Sequence, residues 1–218
     1  MPRATRTLVF ACSLLWALGA AAAEKSILIF GDSLSAAYGL ARARGWVALL
    51  EERLKRERPD YSVVNASVSG ETSAGGRARI AEALARHRPA VVVLELGGND
   101  GLRGLPVGEM KANLGAIIER SRAAGARVLL VGVRMPPNYG PEYTQEFENA
   151  FSELAKHHRV ALVPSILEGF GEKRELFQPD GIHPTAEAQP LIVERVWPAL
   201  RPLLTQSSPR KRGPSLDK

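Results

Sequence analysis

Cysteine is almost missing from this sequence: the 218 residues hold one, Cys12, near the N-terminus. Beyond that segment neither a disulfide framework nor a thiol nucleophile is possible, and cysteine-based zinc sites are excluded. Histidine is scarce as well, with four residues, and no His/Cys/Asp/Glu group has convincing metal-ligand spacing. His157-His158 closes a helical stretch and reads as surface, and His87 reads as a helix-end residue. No Gly-x-Gly-x-x-Gly follows an apolar run, which argues against a dinucleotide site. Gly-x-Ser-x-Gly is absent too, which argues against the nucleophile turn of the α/β-hydrolases. After the first 23 residues no apolar run is long enough to span a membrane.

The composition that remains is that of a globular domain, with 45% hydrophobic and 24% charged residues. A chain of this length buries a sizeable core without disulfides or metals. Its two ends differ from the middle. Arg3 and Arg6 precede an apolar stretch from Leu8 to Leu18 and a small-residue run ending at Ala23, the pattern of a secretory signal peptide over residues 1–23. Residues 205–218 are rich in Ser, Pro, Lys and Arg and read as a solvated, unstructured tail. Most of the formal charge of +6 lies in these ends. The body, residues 24–204, is left near +1 and has no nucleic-acid footprint.

Within the body, apolar runs alternate with amphipathic stretches. Strands are expected at Ser26–Phe30, Tyr61–Ala66, Ala90–Leu96, Arg127–Val133 and Val160–Val163. Helices are expected at Trp46–Arg58, Ala78–Arg86, Val107–Ala124, Tyr143–His158 and Thr185–Leu203. Near-continuous apolar strands alternating with helices indicate a parallel sheet covered on both faces.

Ligands of such sheets bind beyond the carboxyl ends of the strands. There the sequence places Gly31-Asp32-Ser33-Leu34, then Ser69-Gly70-Glu71-Thr72, then Gly97-Gly98-Asn99-Asp100. Further on, before the last helix, stands Asp180-Gly181-Ile182-His183-Pro184. These are the parts that acyl transfer needs. A serine hydroxyl requires a base to become nucleophilic, histidine is suited by its near-neutral pKa, and a carboxylate fixes the imidazole tautomer. Glycine N–H groups and an asparagine amide are suitable donors for an oxyanion. Pro184 suits a first helical position, so His183 is expected at a helix start. Singly, each motif has a plainer reading as a turn or cap; their order, each after its own element, is what points to a site.

The four blocks resemble those of the SGNH, or GDSL, hydrolase family, named for Ser, Gly, Asn and His. The stretches Val64–Ser73, Glu95–Gly104 and Pro136–Gly140 look like one branch of it, the secreted bacterial thioesterase I/lysophospholipase/arylesterase proteins. The resemblance implies a flavodoxin-like α/β/α fold with a five-stranded parallel sheet of order 2-1-3-4-5. It implies Ser33 as nucleophile, His183 as base and Asp180 as its partner, and an oxyanion hole of the Ser33 and Gly70 N–H groups with the Asn99 side chain. It implies no cofactor and no metal.

Leu102, Leu105, Met135, Pro136 and Tyr139 are the expected acyl-binding residues, from loops on the catalytic edge. The substrates expected are small acyl esters, thioesters or lysophospholipids, with at most a transient membrane-surface contact. The expected location is across the inner membrane, the periplasm in a Gram-negative source. The rival readings are a carbohydrate O-deacetylase of the same family, a non-catalytic binding domain, and an envelope interaction protein acting through the basic tail.

Overall fold

The computed structural model describes residues 25–205. The expected signal peptide and the rest of the basic tail lie outside the described residues. Five strands, β1 (Lys25–Gly31), β2 (Tyr61–Asn65), β3 (Val91–Glu95), β4 (Arg127–Val131) and β5 (Ala161–Val163), form one sheet. Every neighbouring pair is parallel and the order is β2-β1-β3-β4-β5, as expected. Ile27 to Phe30 and Val91 to Leu94 are completely enclosed. These two central strands are buried on both faces, which is why they read as unbroken apolar runs rather than alternating ones.

The helices are α1 (Trp46–Glu57), α2 (Ser73–His87), α3 (Gly98–Leu102), α4 (Val107–Ala123), α5 (Pro141–His158) and α6 (Gln189–Thr205). The helix α4 packs between α2 and α5, while α1 packs against α6. The order of the strands reverses at β1, whose neighbours are β2 and β3. The crevice beyond the carboxyl ends of β1 and β3 is therefore the natural ligand position.

Three departures from the sequence expectation go beyond one or two residues at an element's end. The helix α2 begins at Ser73, not Ala78. Thr72 caps it, its hydroxyl accepting from the Gly75 N–H at 3.4 Å. Gly75 and Gly76 weakened the helical pattern there, yet a side chain at Gly76 would collide with Leu96, so close packing against the sheet edge explains its glycine. The segment after β3, expected to be a loop, forms the single helical turn of α3.

The third departure matters most. The last helix starts at Gln189, not Thr185, so Pro184 is not its first residue. Pro184 instead bridges Phe177 in an antiparallel pair. His183 O accepts from the Gln178 N–H at 2.7 Å, and the Thr185 N–H donates to Leu176 O at 2.8 Å. A residue before proline is disfavoured in helical backbone, which keeps His183 out of the helix. The helix starts where Pro190 can occupy its first turn. His158 corrects another expectation: it is buried at the end of α5, and its pKa is lowered by burial and then by His157.

Candidate active site

The β1 strand delivers Asp32, Ser33 and Leu34 directly past its carboxyl end. Gly31 is needed there because a Cβ would lie 2.7 Å from Glu95 Oε2 and 2.8 Å from Ser35 Oγ. Ser33 Oγ lies 2.8 Å from His183 Nε2, across 150 residues of sequence. His183 Nδ1 lies 2.7 Å from Asp180 Oδ2. The other Asp180 oxygen accepts from the Ile182 N–H at 2.9 Å and the His183 N–H at 3.0 Å. Burial alone would raise the Asp180 carboxyl. The His183 and Ile182 N–H groups and then the His183 side chain outweigh it and hold the pKa at about 2. Asp180 is thus charged, and the acceptor it offers puts the proton on Nδ1 and leaves Nε2 to accept from Ser33.

Gly70 has φ +79°, and a notional Cβ would make only an ordinary contact with Arg103 Nη2 at 3.9 Å, so its backbone conformation, not crowding, calls for glycine. Among the described residues, neither the Ser33 nor the Gly70 N–H donates a hydrogen bond. Asn99, in the first turn of α3, directs its Nδ2 to Asp32 Oδ2 at 3.0 Å and to Glu71 O at 3.0 Å. Ser33, Gly70, Asn99 and His183 all line one cavity of about 1070 Å³.

Of the expected acyl-binding residues, Leu102, Met135 and Pro136 line that cavity. Leu105 and Tyr139 do not. Leu105 is exposed and its carbonyl accepts from Tyr143 Oη at 2.9 Å; the Tyr139 hydroxyl donates to Leu102 O at 2.8 Å, bracing that loop from behind. Sequence reasoning missed Val133, Leu167, Phe170 and Phe177, which supply much of the apolar wall. Three of the four come from the segment after β5, which carries no motif. Tyr38 was missed as well: its ring lies 4.4 Å from the His183 imidazole. Among the described residues no group of three or more His, Cys, Asp and Glu is placed to hold a metal.

A five-stranded sheet of this order, with a serine and histidine meeting over its central strands, defines the class of SGNH-fold hydrolases. Residues 29–190 match the GDSL-like Lipase/Acylhydrolase family, and the chain belongs to it. The chain is 51% identical over 197 residues to esterase TesA of Pseudomonas aeruginosa, covering 90% of this chain and 98% of that one. It is 42% identical over 188 residues to thioesterase 1/protease 1/lysophospholipase L1 of Escherichia coli, covering 86% of this chain and 89% of that one. The crystal structure of TesA superposes with a TM-score of 0.80 at 52% identity, over 82% of this chain and 99% of that one. The expected family, branch and fold are thereby met, and the chain is a hydrolase.

Proposed function

We propose that this enzyme hydrolyses acyl esters and thioesters, including arylesters and lysophospholipids, with Ser33 as nucleophile. The observation that carries this reading is the continuous hydrogen-bonded path from Ser33 Oγ through His183 to Asp180. Ser33 Oγ attacks the acyl carbonyl while His183 Nε2 takes its proton. The carbonyl electron pair moves to oxygen, facing the Ser33 and Gly70 N–H groups and Asn99 Nδ2, which exchanges its bond to Glu71 O for one to the oxyanion. The intermediate collapses, His183 protonates the departing alcohol or thiol, and an acyl-serine remains. Water, deprotonated by His183, then releases the acid. Asp180 stays ionised and stabilises the imidazolium at each stage. The relatives named esterase and thioesterase support the bond class, and the apolar walls of the cavity support an acyl chain rather than a sugar. The N-terminal pattern supports export, with the periplasm as destination in a Gram-negative cell.

The test is hydrolysis of p-nitrophenyl esters from acetyl to palmitoyl, with Ser33→Ala alongside. Activity should favour medium or long chains over acetyl and fall by at least about 10³-fold in the variant. Activity that survives the substitution would remove Ser33 from the chemistry.

A further inference from the structure

Behind Ser33 lie two buried carboxylates that the mechanism above does not use, Asp32 and Glu95. Their hydrogen bonds differ. Glu95 Oε2 accepts from the Ser35 hydroxyl at 2.7 Å and from the Asp32 N–H at 3.4 Å, tying the turn to the end of β3. Asp32 Oδ1 accepts from the Leu34 N–H at 3.0 Å, and Oδ2 accepts from Asn99 Nδ2 at 3.0 Å. Unlike Glu95, Asp32 also lines the substrate cavity.

The two ends of an asparagine amide have nearly the same shape and opposite hydrogen-bonding character. Only the partners decide which end points where. Asn99 has two acceptors beside its nitrogen, Glu71 O and Asp32 Oδ2. The first is backbone. The second is a side chain carried on the residue next to Ser33, so the turn that places the hydroxyl also places the acceptor that turns the amide.

We propose that Asp32 is a positioning residue of the oxyanion hole: it fixes one Nδ2 hydrogen of Asn99, so that the other, which rests on Glu71 O in this structure, is the one that turns to the developing oxyanion. This inference rests on the hydrolase reading above. Asp32 uses both oxygens as acceptors, which aspartate supplies and asparagine does not. In an Asp32→Asn variant one of the two N–H partners meets an NH₂ group. The Leu34 N–H is fixed in the turn, so the conflict falls on Asn99: its amide either faces the new NH₂ group with its own or turns Oδ1 toward Glu71 O, and either way the Nδ2 donor leaves the oxyanion position. Three charged or titratable groups face Asp32: Glu95 from β3, His183 from the segment before α6, and Asp100 from α3.

A double-mutant cycle separates this role from a merely structural one. The variants are Asp32→Asn, Asn99→Ala and the pair, assayed for kcat and KM on the best p-nitrophenyl ester, with the melting temperature of each recorded. Asp32→Asn should lower kcat about 10- to 100-fold with KM little changed, most of the loss of one oxyanion donor. In the Asn99→Ala background the same substitution should cost less than about threefold, because the route through Asn99 is gone. Equal losses in both backgrounds, or no loss in either, would overturn the proposal. If Asp32→Asn does not fold, the Asn99 side-chain amide resonances of a His183→Ala protein carry the test. They should shift between pH 4 and 8 as Asp32 changes charge, and pH-independent resonances would overturn it. Loss of the hydrolase reading has a separate signature, since Ser33→Ala would then keep its activity.

Discussion

Asp32 and Asp180 are both aspartates within reach of His183, and their surroundings drive them apart. Asp180 is partly open to solvent, with 36% of its side chain exposed, and is held down by backbone N–H groups. Asp32 is deeply buried, and desolvation pushes its pKa up to about 6 against the Leu34 N–H, the charge of His183 and Asn99. Glu95 is raised well above the usual range, first by burial and then by the charge of Asp32. Two enclosed carboxylates this close do not both ionise cheaply. The raised Asp32 gives a signed prediction. Between about pH 4 and 6 the folded protein holds a proton that the unfolded chain has lost, so this group's contribution to stability falls as pH rises through that window. Asp32→Asn should remove that slope. Urea denaturation of both proteins at pH 4 and pH 7 should show the stability difference moving by roughly 2–3 kcal/mol in favour of the variant at the higher pH. A difference that stays constant with pH would contradict it.

At the scale of elements, the donor-bearing loops depend on how α2 meets α3. The Ser73 N–H and hydroxyl at the start of α2 donate to the two Asp100 oxygens, at 2.8 and 2.6 Å, and Asn113 Nδ2 from α4 donates to Ser73 Oγ at 3.2 Å. This contact staples the Gly70 loop to the Asn99 turn. Ser73→Ala removes one donor from a buried carboxylate and should lower stability by about 1–3 kcal/mol, read from a urea midpoint shift. A midpoint shift worth under about 0.5 kcal/mol would show that water replaces the hydroxyl easily. Neither α3 nor the true start of α2 was legible in the sequence. Gly75-Gly76 and Gly97-Gly98 look like loop composition, while a cap at Thr72 and close approach to Leu96 make the first pair helical. The start of α6 was misread for the opposite reason. Thr185 to Ala188 has acceptable helix composition, but the bridge from Pro184 to Phe177 takes up the chain there.

At the scale of the molecule, the cavity is assembled from the ends of β1, β3 and β4 and the segment after β5. Its apolar wall therefore depends on parts of the chain remote from one another in sequence. The near-neutral body contrasts with the cationic ends, Arg3 and Arg6 before the apolar stretch expected to be a leader and Arg210 to Arg212 after α6. If the leader directs export, N-terminal sequencing of the protein recovered from outside the cytoplasm should begin near Glu24; an intact Met1 would refute cleavage.

The sequence by itself determined the layered α/β class, because strands buried on both faces must be continuous apolar runs and their helices must be amphipathic. It also determined the residues that meet at the site, since Ser33, Gly70 and Asn99 each follow a strand and Asp180 and His183 are joined by a short turn. The tertiary structure alone decided the rest. Which loop side chains face the cavity depends on packing directions: Leu102 turns in while Leu105 and Tyr139 do not, and Phe170 and Phe177 arrive from a segment without a motif. The raised pKa of Asp32 likewise depends on burial that no local pattern records, and its backbone is tied to Glu95, 63 residues away. Periodicity reports which face of an element is covered, whereas the shape and electrostatics of a pocket arise from contacts between distant segments.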